Sequence, residues 1–310
     1  MIIAAPIVSR LLFRSAKPGR LVQGAALALY GAHAVRDWVS RRGVRRIDFR
    51  REFGADGRHM DRMPEAVRIA EIGLLVDRLN DEYVPRRLPR AELARRVDEE
   101  LTSYIASITG QRVETSAEVR GFTLMKLLAP FALGACDVLS GDVALFRDTG
   151  VFEPQVIAHE FAHRKGYMHE LEAQALAYLA LTASGDPVLV QAALCERLRA
   201  HLRVLSGGSG EAFRELVGRI GLRRELRAQF LAIRPVPGPV GRSVERAFQS
   251  LYDARMRLTG QNGLSDYDRG FTDFLFTFER SRTARQRPPA AGALHSPVPA
   301  VVASPDERVH

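Results

Sequence analysis

His159, Glu160 and His163 stand in the order H-E-x-x-H within the run Val156-Ile-Ala-His-Glu-Phe-Ala-His-Arg-Lys-Gly166. On a helix, positions four apart share a face, so both imidazoles lie one turn apart. That pair suits Zn2+, and the carboxylate beside the first histidine suits a general base. The flanking residues argue against two ordinary packing histidines. Val156, Ile157, Phe161 and Ala162 imply burial, and burying two imidazoles without partners is costly, whereas a shared metal ion satisfies both.

The helix that carries this motif has its own stop and start signals. Pro154 suits the first turn, and Gly166 is placed to close the helix in a left-handed conformation three residues past His163. A second helix is expected from His169-Glu170 to about Ser184, ended by Gly185-Asp186-Pro187. Two helices joined so tightly pack antiparallel. A residue four past Gly166 then returns opposite His163 and a residue eight past it returns opposite His159. Glu170 and Gln174 hold those places. Glu170 would complete a His2Glu set with a fourth position for water, and Gln174 could orient a histidine or the ligand carboxylate from behind. Glu172 could share that supporting role only if the helix starts late. A rival reading extends the motif to His169 as H-E-x-x-H-x-x-G-x-x-H, in which a third histidine completes the site. That arrangement also needs a methionine turn, and the nearest downstream methionine, Met256, sits in a stretch that reads as amphipathic helix.

The run from His159 to Ala180 resembles the signature of a bacterial family catalogued as domain of unknown function 3810, whose pattern is HELAHxxG followed by ExEANFxAYLA. The stretch from Ile69 to Tyr83 is similar to that family's helix ending in Leu-Asn, and Leu251 to Tyr267 to its C-terminal segment. The likeness covers about two thirds of the chain. Gln174 replaces the family's asparagine, His169 stands where arginine is usual, and Phe131 to Phe146 lacks the Pro-Phe-Thr-Gly-Glu stretch of other members. The E-x-x-A-N pattern is also similar to the ligand helix of zincins with a remote glutamate. The resemblance therefore implies Glu170 rather than His169 as third ligand.

With zinc bound, the expected reaction is peptide hydrolysis by a metal-activated water, with Glu160 as general base and then proton donor to the leaving amine. An oxyanion partner is also needed. Tyr267 is the candidate, while Tyr167 and Tyr178 read as packing residues. The alternative is a non-catalytic, membrane-peripheral helical protein whose metal only staples two helices.

The expected fold class is mainly α, a zincin-like helical domain with the motif helix, an antiparallel ligand helix and a small β edge before the motif. Asp142 to Phe146, between Gly141 and Asp148-Thr-Gly150, is the expected strand. Helical periodicity predicts helices over Pro64 to Asn80, Pro89 to Ile108, Pro187 to Leu205, Glu211 to Ile233, Ser243 to Leu258 and Tyr267 to Arg280. Phe122 to Leu139, interrupted by Lys126 and Pro130, reads as a core segment. Residues 46–282 form the expected helical domain, and the Pro-, Ala- and Arg-rich stretch 283–310 an expected disordered tail.

Residues 1–45 differ in kind. Met1 to Arg36 contains no acidic residue and alternates apolar runs with Arg10, Arg14, Lys17 and Arg20. Leu21 to Val35 falls short of the 20 or so apolar residues of a spanning helix, which points to an anionic membrane surface. Spanning helices at the N-terminus are implied by the resemblance, so this segment reads as a shortened anchor. The expected location is the bacterial inner membrane or the cytoplasm. A net charge of +9 resting on 42 Arg and 3 Lys reflects base composition more simply than phosphate binding. No nucleic-acid motif accompanies it, so no nucleic-acid partner is expected. Cys136 and Cys195, the two cysteines, read as buried free thiols in a reducing compartment.

Overall fold

Proline and glycine set the ends of the helices on which the site depends. Pro64 and Pro89, both extended, immediately precede helices, and Gly110 closes the second of these at φ 70°. Asp186 caps another with its carboxylate on the Val188 amide, ahead of Pro187 in the first turn. The computed structural model describes residues 17–122, 132–137, 141–233, 250 and 267–281. Among these residues the chain is mainly helical, with ten α-helices and one three-stranded sheet.

The helices are α1 (Lys17–Arg42), α2 (Phe49–Phe53), α3 (Glu65–Asp81), α4 (Arg90–Thr109), α5 (Glu153–Arg164), α6 (Glu170–Ala183), α7 (Pro187–Leu205), α8 (Gly210–Arg219), α9 (Arg224–Ala232) and α10 (Tyr267–Arg280). The strands are β1 (Val119–Gly121), β2 (Gly134–Cys136) and β3 (Val143–Leu145), in the order β1-β3-β2. β1 runs parallel to β3, and β2 runs antiparallel to it with Ala135 opposite Ala144.

Helix α6 is buried along nearly its whole length from Ala173 to Thr182, as expected of a helix apolar on all sides. Its alanines let α5 and α4 approach closely, and Ile157, Phe161, Leu101, Leu176 and Phe274 meet in one core. Helix α7 is a wall shared by two cores. Its Leu189, Ala193 and Ala200 face the first, while Leu194, Leu198 and Leu202 face a second core with α3, α8 and α9.

Several sequence expectations need correction. The single helix expected over Glu211 to Ile233 is two helices, because Gly221 takes φ 77° and breaks the ladder between α8 and α9. Asn80 secures the break by donating to the Gly221 carbonyl and accepting from the Arg223 amide. The strand expected over Asp142 to Phe146 is β3, but its partners were not foreseen, and β2 falls inside the stretch read only as core. The expected helix over Ser243 to Leu258 and the tail 283–310 lie outside the described residues, apart from Ser250. Neither cysteine forms a disulfide, and Cys195 is buried as expected whereas Cys136 is half-buried, while Tyr178 packs edge-on against Phe271.

Between the two cores α7 also carries charge. The Arg197 guanidinium, 2 % exposed, binds Glu71 of α3 and both carboxylate oxygens of Glu279 of α10, and donates to the Tyr178 hydroxyl at 3.0 Å. Removing one partner of such a buried cluster leaves an uncompensated charge, so Arg197→Ala should lower the unfolding free energy by about 3–5 kcal/mol in urea titrations. Burial alone would raise the Glu71 carboxyl, but Arg197 and His201 outweigh it and bring it down from 4.5 to about 2. A depressed carboxylate stabilises the fold above its unfolded value and loses that contribution as the pH falls through its folded value. The protein should therefore lose stability as the pH falls from about 4.5 toward about 2, and Arg197→Ala should lose less over the same window.

Candidate metal centre

Helix α5 begins from a tight turn at Gly150–Phe152, is tied to α4 through Glu153 and Arg90 at 2.6 Å, and ends at Arg164. Gly166, at φ 98°, then turns the chain back, with the Tyr167 amide donating to the Ala162 carbonyl. This reversal sets the site. The His163 Nδ1–H donates to the Tyr167 carbonyl at 2.7 Å, which fixes the ring and aims Nε2 away from the turn.

Glu170 is the first residue of α6, and its Oε2 lies 3.1 Å from His159 Nε2 and 3.5 Å from His163 Nε2. The two Nε2 atoms are 3.1 Å apart. A tetrahedral zinc ion with bonds of about 2.0–2.1 Å separates neighbouring donors by about 3.3 Å. The three atoms fit such an ion. Three protein donors are also the number found where zinc keeps one position for water or substrate. Among the described residues this is the one grouping of three metal-ligating side chains within mutual reach.

The other sequence candidates fall elsewhere. His169 precedes α6 as its N-cap, is half exposed and faces Glu172 at 3.9 Å, so neither reaches the imidazoles. Gln174 does not lie opposite His159 as the turn geometry predicted. The pairs His159 with Glu170 and Gln155 with Gln174 show α6 set back along α5 by one helical turn. His169, just before α6, is extended, and extended chain advances further per residue than helix, which carries Gln174 past His159. The Gln174 amide donates instead to Glu196 of α7 at 2.6 Å. Tyr267 opens α10, and its side chain lies outside what is described.

Glu160 is buried against β2. Burial pushes its carboxyl above the usual range despite the two neighbouring imidazoles, and the Cys136 amide donates to it. A Cβ on Gly134 would stand 3.0 Å from the Ala144 carbonyl and 3.3 Å from the Glu160 carboxylate, so only glycine fits there without displacing one of them. Neither Gly134 nor the Tyr167 carbonyl carries a motif in the sequence. Backbone contacts across the fold leave no side-chain pattern to read.

A family model described as protein of unknown function (DUF3810) matches residues 149–275. The match runs from the turn before α5 into α10 and supports the resemblance carried by the motif. No curated protein and no solved structure matches the chain.

Burial depresses the His163 imidazole, but hydrogen bonding and charge from Glu170 outweigh it and raise it from 6.5 to about 9. Glu170 is correspondingly held far below the ordinary carboxylate range. The pair therefore stabilises the metal-free protein fully between about pH 4.5 and 6.5, loses that effect as the pH rises through about 9, and loses it again as the pH falls below 4.5 and Glu170 takes up a proton. A metal must displace the His163 proton. Zinc binding at pH 7 should release about one proton, seen by calorimetry in buffers of different ionisation enthalpy, and His163→Ala should abolish the release.

Proposed function

We propose that the chain is a zinc-dependent peptidase of zincin type, with His159, His163 and Glu170 holding the ion and Glu160 acting as general base. The observation that carries this reading is the convergence of three donor atoms beside a separately buried carboxylate. When bound there, zinc would polarise a substrate carbonyl and lower the pKa of a water to about 7. Glu160, raised by burial, is suited to take up a proton when ionised and to hand it to the leaving amine. The Cys136 amide keeps its carboxylate in place.

A structural staple is the alternative, because all three ligands come from two adjoining helices. The two readings separate on one substitution. Protein purified without added metal should carry about one zinc per chain, and Glu160→Gln should keep that metal while cleavage of a peptide library falls by about 10²–10⁴-fold. Zinc below a few tenths of an equivalent would count against both readings. Library cleavage undiminished in Glu160→Gln would remove the general base.

We also propose that this peptidase works at an anionic membrane surface. Leu21, Ala25, Ala28, Ala32, Val35 and Val39 recur at intervals of four and three along α1, and all are exposed, Leu21 at 75 %. On the opposite side of α1 the Tyr30 hydroxyl donates to Asp137 at 3.4 Å. Residues 17–51 hold nine basic side chains against two aspartates. No helix among the described residues is long and apolar enough to cross a membrane, which favours a helix lying in the interface. The chain should co-sediment with phosphatidylglycerol-containing vesicles and not with pure phosphatidylcholine. Leu21→Glu combined with Val35→Glu should release it.

A further inference from the structure

We infer that Gln155 is the positioning residue for His159, accepting a hydrogen bond from its Nδ1–H through the side-chain oxygen when metal is bound. The inference rests on the metal-centre reading above and concerns a residue that no motif assigns. The two histidines of the pair are not supported alike. His163 has its Nδ1 fastened to the Tyr167 carbonyl at 2.7 Å. His159 Nδ1 is buried and, among the described residues, has no hydrogen-bond partner.

An imidazole that binds a metal through Nε2 carries its proton on Nδ1, so metal binding makes a buried donor at this atom. Such a donor is costly unless something accepts it. Gln174, the residue expected to do so, has its side chain turned toward α7, where its Nε2–H donates to Glu196 at 2.6 Å. Gln155 lies four residues before His159 on α5, on the same face and one turn away, and it is 2 % exposed. Its Nε2 donates to the Gln174 carbonyl of α6 at 3.4 Å, which sets which end of the amide is free. That free end is Oε1, itself buried and without a partner among the described residues.

A buried atom that must donate and a buried atom that can only accept thus stand on neighbouring turns of one helix. The proposed bond would close through rotation of the glutamine side chain. Ligand histidines depend on such acceptors for tautomer and ring orientation. Here the acceptor comes from the ligand's own helix, while its amide end reaches the helix that supplies Glu170. Gln155 would thereby set the ring of one ligand against the backbone that carries another.

The test is the zinc dissociation constant of the full chain, by chelator competition at pH 7.5, for wild type, Gln155→Met and Gln155→Glu. Methionine keeps the volume and removes the acceptor, so affinity should fall by about 10–100-fold. Glutamate keeps an acceptor but, when ionised, cannot donate to the Gln174 carbonyl. It should therefore restore binding if the His159 contact matters, and should fail if Gln155 serves only to tie α5 to α6. Equal zinc affinity in wild type and Gln155→Met, or equal weakness in both variants, would overturn the inference while leaving the metal reading intact. A wild type that binds no zinc would overturn the metal reading and this inference together. Should the variants not fold, nitrogen-15 spectra of the zinc-loaded wild type decide. They should show a His159 Nδ1–H protected from exchange with water, and its absence would refute the bond.

Discussion

Two imidazoles and a carboxylate held almost out of water must either neutralise one another or share a cation, and the architecture around α5 and α6 follows from that demand. The side chains of His159, His163 and Glu170 are each only 13–16 % exposed. Without metal they form a compact ion pair, in which the Glu170 charge holds a proton on His163. The energy of burying these groups is recovered only if the geometry is tight. That tightness comes from a five-residue reversal whose backbone both turns the chain and fastens one of the rings.

The residues directly after the motif hold the sheet to the site. Arg164, buried and stacked over Phe161, donates to the carbonyls of Gly141, Ser116 and Glu118. Lys165 pairs with Asp98 of α4 at 2.9 Å and donates to Thr115. The C-terminal end of the motif helix therefore gathers the entry to β1, the turn between β2 and β3, and α4. Through those strands Gly134 and Cys136 are placed against Glu160. Charged side chains satisfying several carbonyls at once are stronger and more directional than neutral ones, which explains how three-residue strands can be held in register.

On the other side of the site, polar contacts step outward through the helices. Gln155 meets Gln174, Gln174 meets Glu196, and Glu196 binds Arg199, which approaches Asp268 of α10. With the Arg197 cluster nearby, α7 places three buried charged side chains, Glu196, Arg197 and Arg199, between the two cores. Buried polar groups cost stability when one member is missing and specify the arrangement when all are paired. The apolar cores bring these helices together, and the polar ladder decides how they sit.

What could be read from residue order was whatever depends on neighbours a few positions apart. The H-E-x-x-H spacing, the helical period of α3, α4 and α7, the proline and glycine stops, and the choice of Glu170 as the carboxylate facing the imidazoles all have local causes, since a 3.6-residue period and a tight turn act over one or two turns of chain. The offset of α6 by one turn, the break between α8 and α9, the strands β1 and β2, and the pairing of Gln174 with Glu196 had no such cause. Three-residue strands are too short to show alternation, and a helix break secured by Asn80 depends on a side chain more than a hundred residues away. Which buried polar atoms end up facing each other is decided by how whole helices pack, because a shift of one turn costs little in local energy and changes every partner across the interface.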